Sequence, residues 1–403
     1  MNSEQITSLI RVRVLNCNID DVVKEDILTG KLGLAFTCLQ IYKSIGDEAY
    51  LQKVSDILND IFLNINNSNS ILLEKMSLAN GLPGLGLLLH YLIEDNLIDN
   101  GLAEKLDLIT ESVYKKCIIE ISHQNFDYFY GSTGLLYYLI EVKSLKLAAN
   151  VFEQIELYAR ENDYLFYNHV DDPYCQGINF GFAHGSFALL AVLTKLYESN
   201  ILQSRVKELI LKSLNKLFLF SRMNIDYNNV TIMHKGFDYP SFFPYNVTAN
   251  NDIINPLSRD TLYHFTDRLG WCNSDLSRLY IIYKIAYLFN SQYYIDIADS
   301  ISEEIVSRRD YKDTAISDCY MCHGTSGVAH LYKRLSDLCT KNIFGSSYDY
   351  WVKQTIEYMH EELDKSPSEK DLELLTGWLA PYFVLEENNG HAYKNWDSIF
   401  LLN

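Results

Sequence analysis

Proline is scarce in this chain, 7 of 403 residues, as an all-helical body would want. No run of about 18 uninterrupted apolar residues occurs, so no membrane span is expected; the best candidate, FALLAVLT, is cut short by Lys195. The opening MNSEQITSLIRVRVLNC lacks the charged-then-apolar layout of a signal peptide, and the expected location is the cytoplasm. Without an export signal, the eight cysteines read as thiols or ligands, not as a disulfide framework. Basic residues are outnumbered, 34 against 52 acidic, for a net charge of −18. That deficit disfavours general nucleic-acid binding, which rests on neutralising phosphates. It would suit a cationic partner, although surface acid mostly serves solubility. What remains is ordinary for a large globular core: 48% hydrophobic and 21% charged residues.

Against that background a Gly-x-x-Gly element recurs, each time opening an apolar run. Its copies start at Gly30 (GKLG), Gly81 (GLPG), Gly131 (GSTG), Gly185 (GSFA), Ser274 (SDLS), Gly324 (GTSG) and Gly377 (GWLA). The intervals are 51, 50, 54, 89, 50 and 53 residues. Self-similarity at a fixed period means one supersecondary unit used repeatedly. The stretches after the element, such as LGLLLHYLI and FALLAVLTKLY, are apolar almost all round, the pattern of buried helices. Amphipathic stretches alternate with them. In 50–65, Leu51, Val54, Ile57, Leu58, Ile61 and Phe62 recur at helical spacing.

Seven such pairs give either an open solenoid or a closed double ring. A solenoid would want polar terminal caps, and the last copy, LELLTGWLAPYFVLEE, is as apolar as the middle ones. The expected fold is therefore all-α, an (α/α) toroid of seven helical-hairpin repeats filling 1–403 as one domain. The long interval holds an insertion at 223–265, rich in Asn, Tyr, Phe and Pro and without helical period. It reads as loop with short strands, either a surface excursion or a lip that helps hold a peptide. The glycines are expected to allow φ > 0 before each inner helix and to let backbones crowd. Residues just before those helices would then converge.

Three copies carry ligand-type residues there: His184 before the fourth, Cys272 before the fifth, Cys322 and His323 before the sixth. Cys272, Cys322 and His323 form a Cys2His set, three corners of a tetrahedral zinc site with one position open, which is the catalytic arrangement. A free Cys, with a pKa of about 8.5, is only slightly ionised near neutrality. Zinc coordination removes the proton outright, and two resident thiolates leave an incoming third one electron-rich. Such a site suits activation of a thiol for attack on an electrophilic carbon. The run Cys319-Tyr320-Met321-Cys322-His323 also matches the C-x-x-C-H haem-attachment pattern. Haem attachment of that kind needs export, so Cys319 is read instead as a buried or neighbouring thiol. His90, His330 and His360 are read as ordinary core or surface residues.

HGSFA at 184–188, GWCNSDLS at 270–277 and CHGTSG at 322–327, in this order on the repeat background, resemble the lanthionine synthetase C-like family over nearly the whole chain. The resemblance implies an (α/α) toroid with one zinc ion. It also implies Michael-type addition of peptide cysteines to dehydroalanine or dehydrobutyrine, giving thioether rings in a dehydrated precursor peptide, with a dehydratase as a partner. By position it makes Cys272, Cys322 and His323 the zinc ligands, His184 the acid/base, and Asp127 and Arg268 further site residues. The chemistry suits these roles. The enolate formed by thiolate attack must be protonated, for which an imidazole is the natural donor. A guanidinium can stabilise the enolate oxygen, and a carboxylate can orient either group.

The chain departs from the family pattern at the fifth copy. Asn273, Ser274, Leu276 and Ser277 stand where Tyr, Gly, Pro and Gly are usual, and Ala188 and Ala380 end the fourth and seventh copies. No departure removes a metal ligand; those beside Cys272 are expected to reshape the cavity wall. Two other readings stay open: a thiol-adding relative acting on glutathione or small thiols, and a zinc-stabilised scaffold that presents a peptide to a dehydratase.

Overall fold

The computed structural model describes residues 1–98, 100–170, 176–225, 231–234, 241–249, 254–256, 258, 260–266, 268–339, 341–391 and 393–403. Its helices, in chain order, are α1 (Ser3–Asn16), α2 (Lys31–Ile45), α3 (Glu48–Asn66), α4 (Leu82–Glu94), α5 (Ala103–Ser122), α6 (Ser132–Glu141), α7 (Leu145–Glu161), α8 (Ser186–Glu198), α9 (Gln203–Phe218), α10 (Asp275–Leu288), α11 (Gln292–Ile305), the short α12 (Tyr311–Thr314), α13 (Thr325–Leu338), α14 (Asn342–Leu363) and α15 (Leu379–Asn388). The chain divides into two compact units, Met1–Ile109 with Ile316–Asn403, and Thr110–Ala315.

All seven copies of the repeated element head a helix, and those helices are buried almost all round. α2 is buried at every residue from Lys31 to Ile41, α6 from Ser132 to Ile140 and α8 from Ser186 to Thr194. α10, α13 and α15 follow the same pattern. The helices between them bury one stripe. In α3 this is Tyr50, Val54, Ile57, Leu58 and Ile61, so the stripe is the expected one with Tyr50 in place of Leu51 and Phe62. Within the first unit α2 packs on α3 and α13 on α14; within the second, α8 packs on α9 and α10 on α11. Each fully buried Leu side chain stabilises such a pairing by about 2 kcal/mol.

The glycines serve otherwise than expected. Gly30, Gly81, Gly131, Gly185 and Gly324 are N-caps with extended backbones, at φ −141°, −132°, −133°, −143° and −103°. No left-handed turn is required there. What excludes a side chain is crowding: a Cβ would come within 3.0 Å of the residue six positions earlier, Lys24, Lys75, Asn125, Asn179 and Asp318 respectively. A loop of that length folds back onto its own helix start, and only a hydrogen fits between. The left-handed glycine of the first hairpin is Gly46, φ +72°, which ends α2 as its C-cap.

The second unit also holds a four-stranded sheet, β1 (Ile178–Asn179), β2 (Thr231–His234), β3 (Asn246–Ala249) and β4 (Thr261–Phe265), in the order β1-β3-β4-β2. β3 pairs antiparallel with β1 and β4, and β2 lies parallel to β4. Three of the four strands come from 223–265, the segment read as loop with short strands. Along β4, Thr261, Tyr263 and Phe265 point inward, a period of two.

Candidate functional site

The residues just before the buried helices form short loops that bond to one another within each unit. In the second unit the Phe129 N–H donates to Ala183 O at 3.3 Å, and the Phe182 and Ala183 N–H groups donate to Cys272 O at 2.8 and 3.0 Å. In the first unit the Leu374 and Leu375 N–H groups donate to Leu28 O, both at 2.9 Å, and the Cys322 N–H donates to Leu375 O at 3.2 Å. Cys272 and Leu28 both stand two residues before a helix-heading position and accept the same pair of bonds. The repeat thus places side chains of successive loops in register, and that is what makes residues distant in sequence available to one site.

His184 and Asp127 are brought together: of the two groups that the carboxylate could orient, it meets the imidazole. His184 Nδ1 lies 2.7 Å from Asp127 Oδ2, and the carboxylate is buried while a third of the imidazole is exposed. Asp127 Oδ1 accepts the Tyr130 N–H at 2.8 Å, so the carboxylate is fixed before it binds the ring. Tyr130 stacks on the imidazole at 5.9 Å, and Phe129 meets it edge-on at 5.6 Å. Held through Nδ1 by a carboxylate and packed on two sides, the ring is fixed in orientation, as an acid/base would need. Asn168 supports both members: its Nδ2 donates to His184 O at 3.0 Å and its Oδ1 accepts the Phe126 N–H at 2.9 Å. Beyond it opens a cavity of about 270 Å³ lined by Tyr167, His169, Gln176, Thr248 and His264.

The Cys272 loop has no helix-heading glycine, and a polar network replaces it. Ser274 Oγ accepts the Ser277 N–H and donates to Gly270 O, capping α10. Arg278, one turn into α10 and fully buried, donates from Nε to Phe180 O at 3.0 Å and from Nη1 to Phe243 O at 3.2 Å and Asp275 Oδ1 at 2.9 Å. Its Nη2 donates to Asn273 Oδ1. Asp275 accepts the Phe242 and Phe243 N–H groups. Burial lowers the pKa of the guanidinium, opposed by Asp275 and, next, by the Cys272 thiolate. Arg268, four residues before Cys272, is exposed, with its N–H donated to Thr266 Oγ1 at 3.4 Å.

Cys322 and His323 sit just before Gly324, the N-cap of α13. His323 Nε2 lies 3.7 Å from Asp318 Oδ2, and its Nδ1 is buried without a hydrogen-bond partner. Cys319 turns away, buried with its thiol 3.4 Å from Met359 Sδ, and burial raises its pKa well above the ordinary range. This is the buried thiol expected of Cys319. Cys322 and His323 lie in the first unit and Cys272 in the second, each on the loop just before a buried helix. A cysteine beside an imidazole whose Nδ1 is unmatched suits zinc: a buried acceptor left unmatched is costly, and a cation satisfies it. A carboxylate at the far ring nitrogen is the usual support of a metal-bound imidazole.

The other histidines divide. His360 meets the N-terminus at the surface and His90 faces Glu94 at 3.5 Å, both ordinary roles. His330, expected to be ordinary, is fully buried between Asp397, at 2.8 Å, and Glu387, at 3.4 Å. Sequence reasoning missed Asp318, although a signal for it exists. Asn125, Asn179 and Asp318 each stand six residues before a repeat glycine and accept the N–H two residues on, those of Asp127, Gly181 and Tyr320. Asn273 and Arg278 carry no such periodic mark.

Comparisons with known proteins agree with this layout. No curated protein sequence matches the chain. A solved structure of a nisin cyclase is similar over 99% of this chain and 96% of that one, with a TM-score of 0.68 at 16% identity. The fold is accordingly an (α/α) toroid. An inactive variant of an alpha-1,6-mannanase of Salegentibacter sp. HEL1_6, bound to alpha-1,6-mannotriose, reaches a TM-score of only 0.44 at 10% identity over 100% of both chains, and nothing here follows from it. Among the described residues no helix is long and apolar enough to cross a membrane. The family of lanthionine synthetase C-like proteins matches residues 21–401, and the chain belongs to that family.

Proposed function

We propose that this protein is a zinc-dependent cyclase. It adds cysteine thiols of a dehydrated precursor peptide to dehydroalanine or dehydrobutyrine residues of the same peptide, forming lanthionine-type thioether rings. The observation that carries the reading is Cys322 beside His323, whose Nδ1 is buried and unpartnered, in a family of lanthionine synthetase C-like proteins, with Cys272 heading a buried helix in the same way. Cys272, Cys322 and His323 would hold the metal, with Asp318 steadying His323. Bound there, zinc would supply the means to deprotonate and retain an incoming thiol.

The remaining work falls to the chain's own groups. As the S–Cβ bond forms, the electron pair of the Cα=Cβ bond moves toward the carbonyl, and Cα must then receive a proton. His184 would deliver it from the nitrogen opposite Asp127, whose carboxylate fixes the ring. Arg268 would meet the enolate oxygen from the exposed side. The toroid would act as one domain, and the 223–265 insertion would form a lip over the peptide, with the cavity lined by Thr248 and His264 as part of that surface. A dehydratase would supply the substrate, in the cytoplasm.

Reconstitution with the dehydrated peptide tests this directly. The purified chain should carry about one zinc per molecule, and after its action the peptide cysteines should no longer take up an alkylating reagent, as read by mass spectrometry. Cys322→Ala and His184→Ala should leave dehydration intact and the thiols free. Full alkylation of the wild-type product would refute the proposal, and turnover with glutathione but not with the peptide would replace it. Deleting the insertion without changing peptide affinity would remove the lip.

A further inference from the structure

The Cys272 loop poses a problem that the other loops solve with glycine. A metal-ligating sulfur must be held to within a few tenths of an ångström, yet this loop lacks the glycine at which its counterparts fold back. Both flanks of Cys272 lead to a single side chain. On one side its carbonyl is held by the N–H groups of Phe182 and Ala183, and Phe180, in the same segment, gives its own carbonyl to Arg278 Nε. On the other side the next residue, Asn273, gives its carboxamide oxygen to Arg278 Nη2. Asp275 neutralises the guanidinium and ties it to Phe242 and Phe243 of the insertion.

We propose that Arg278, acting through Asn273 and the Phe180 carbonyl, is the positioning residue that sets the Cys272 sulfur for zinc. The inference rests on the reading of Cys272 as a metal ligand. An ion pair serving only to brace α10 would be complete with Asp275, three residues away on the same helix. Here three of the four hydrogen bonds leave the helix, and two of them end on the chain that frames Cys272. Only a planar fork can reach those acceptors together, so lysine cannot replace it.

The test compares zinc affinity, by competition with a chromophoric chelator, and the thiolate-to-cobalt absorption of the Co(II)-loaded protein, in wild type, Arg278→Lys and Asn273→Ala. Leu279→Ala, a core truncation on the same helix, controls for lost stability. Both network variants should bind zinc about 10- to 100-fold more weakly, the usual effect of removing support from a metal ligand. Their thiolate-to-cobalt absorption should fall to that of one sulfur. Leu279→Ala should melt earlier and yet match wild type in both readouts below its transition. Asn273→Ala removes one bond and keeps the test decisive should Arg278→Lys fail to fold. Wild-type affinity and spectrum in folded Asn273→Ala, or an equal loss in Leu279→Ala, would overturn the proposal alone. A wild-type chain that takes up neither metal would overturn the zinc reading with it.

Discussion

The loops carrying Cys322 and Cys272 deliver the same chemical group, a thiol just before a buried helix, by different physical means. The first is built on Gly324, where a Cβ would collide with Asp318 and the Tyr320 N–H. The second starts its helix with Ser274, whose hydroxyl closes the turn, and is held by the buried Arg278–Asp275 pair. In the first, backbone crowding does the positioning and polar side chains are few. In the second, no glycine heads the helix and side-chain hydrogen bonds hold the loop. A glycine loop is rigid but admits no substitution at its tightest point, whereas a polar network tolerates a side chain there and depends on every partner being present.

The largest effect should be common to both loops. Cys322→Ser and Cys272→Ser should each abolish stoichiometric zinc and ring formation, since either leaves two protein ligands. Metal analysis after gel filtration, beside the alkylation assay, reads both. If Cys272→Ser kept full zinc, the fifth loop would not be a ligand loop, and the comparison would lose its meaning.

The helices behind the loops are braced by buried charge in different ways, and pH separates them. α13 carries His330, between Asp397 and Glu387, with Arg334 Nε 2.7 Å from Asp397. Burial pulls the His330 pKa down, but Glu387 and Asp397 outweigh it, and the net shift is upward from 6.5. Burial raises the two carboxylates, and His330 and Arg334 outweigh it, holding Glu387 at about 2 and Asp397 below its ordinary range. Stability from His330 is therefore complete below pH 6.5 and lost as pH rises through the higher folded value. Stability from the carboxylates is complete above their unfolded range and lost as pH falls toward 2. Asp397→Asn should cost about 3–5 kcal/mol, the usual consequence of breaking a buried pair. His330→Gln should flatten the alkaline limb of the urea midpoint above pH 6.5, whereas the Arg278–Asp275 pair of α10 holds no imidazole and gives no such limb. An unchanged alkaline limb in His330→Gln would mean that the imidazole is not charged in the fold.

Most of this was legible in the sequence wherever the repeat carried it. The seven helix starts and the alternation of buried and amphipathic helices follow from positions that recur. The role assigned to the glycines was half right. Close approach is real, but the extended φ of Gly30 and Gly185 is open to any residue, and sequence cannot tell a forbidden angle from a forbidden volume. Arg278 and His330 were illegible for another reason. A charged residue inside an apolar helix looks like an exposed interruption until its partners, from Phe180 to Asp397, are known from the fold.

A reciprocal exchange at the two helix starts probes the glycine argument with the smallest perturbations. Gly324→Ser should destabilise by about 3 kcal/mol, because the new Cβ has to push back Asp318 and the Tyr320 backbone, and overpacking of that kind costs energy whichever rotamer is chosen. Asp318 would move from His323, so zinc affinity should fall with stability. Ser274→Gly should do far less. It restores the family residue and removes the hydroxyl that caps α10, and glycine is itself a fair N-cap, so the loss should be a few tenths of a kcal/mol. Zinc affinity should hold, since Arg278, Asn273 and the Phe182 and Ala183 bonds to Cys272 are untouched. Urea denaturation and chelator competition on the same samples read both quantities. If Ser274→Gly weakened zinc as much as Gly324→Ser, the serine hydroxyl, not the guanidinium, would be what holds the Cys272 loop in place.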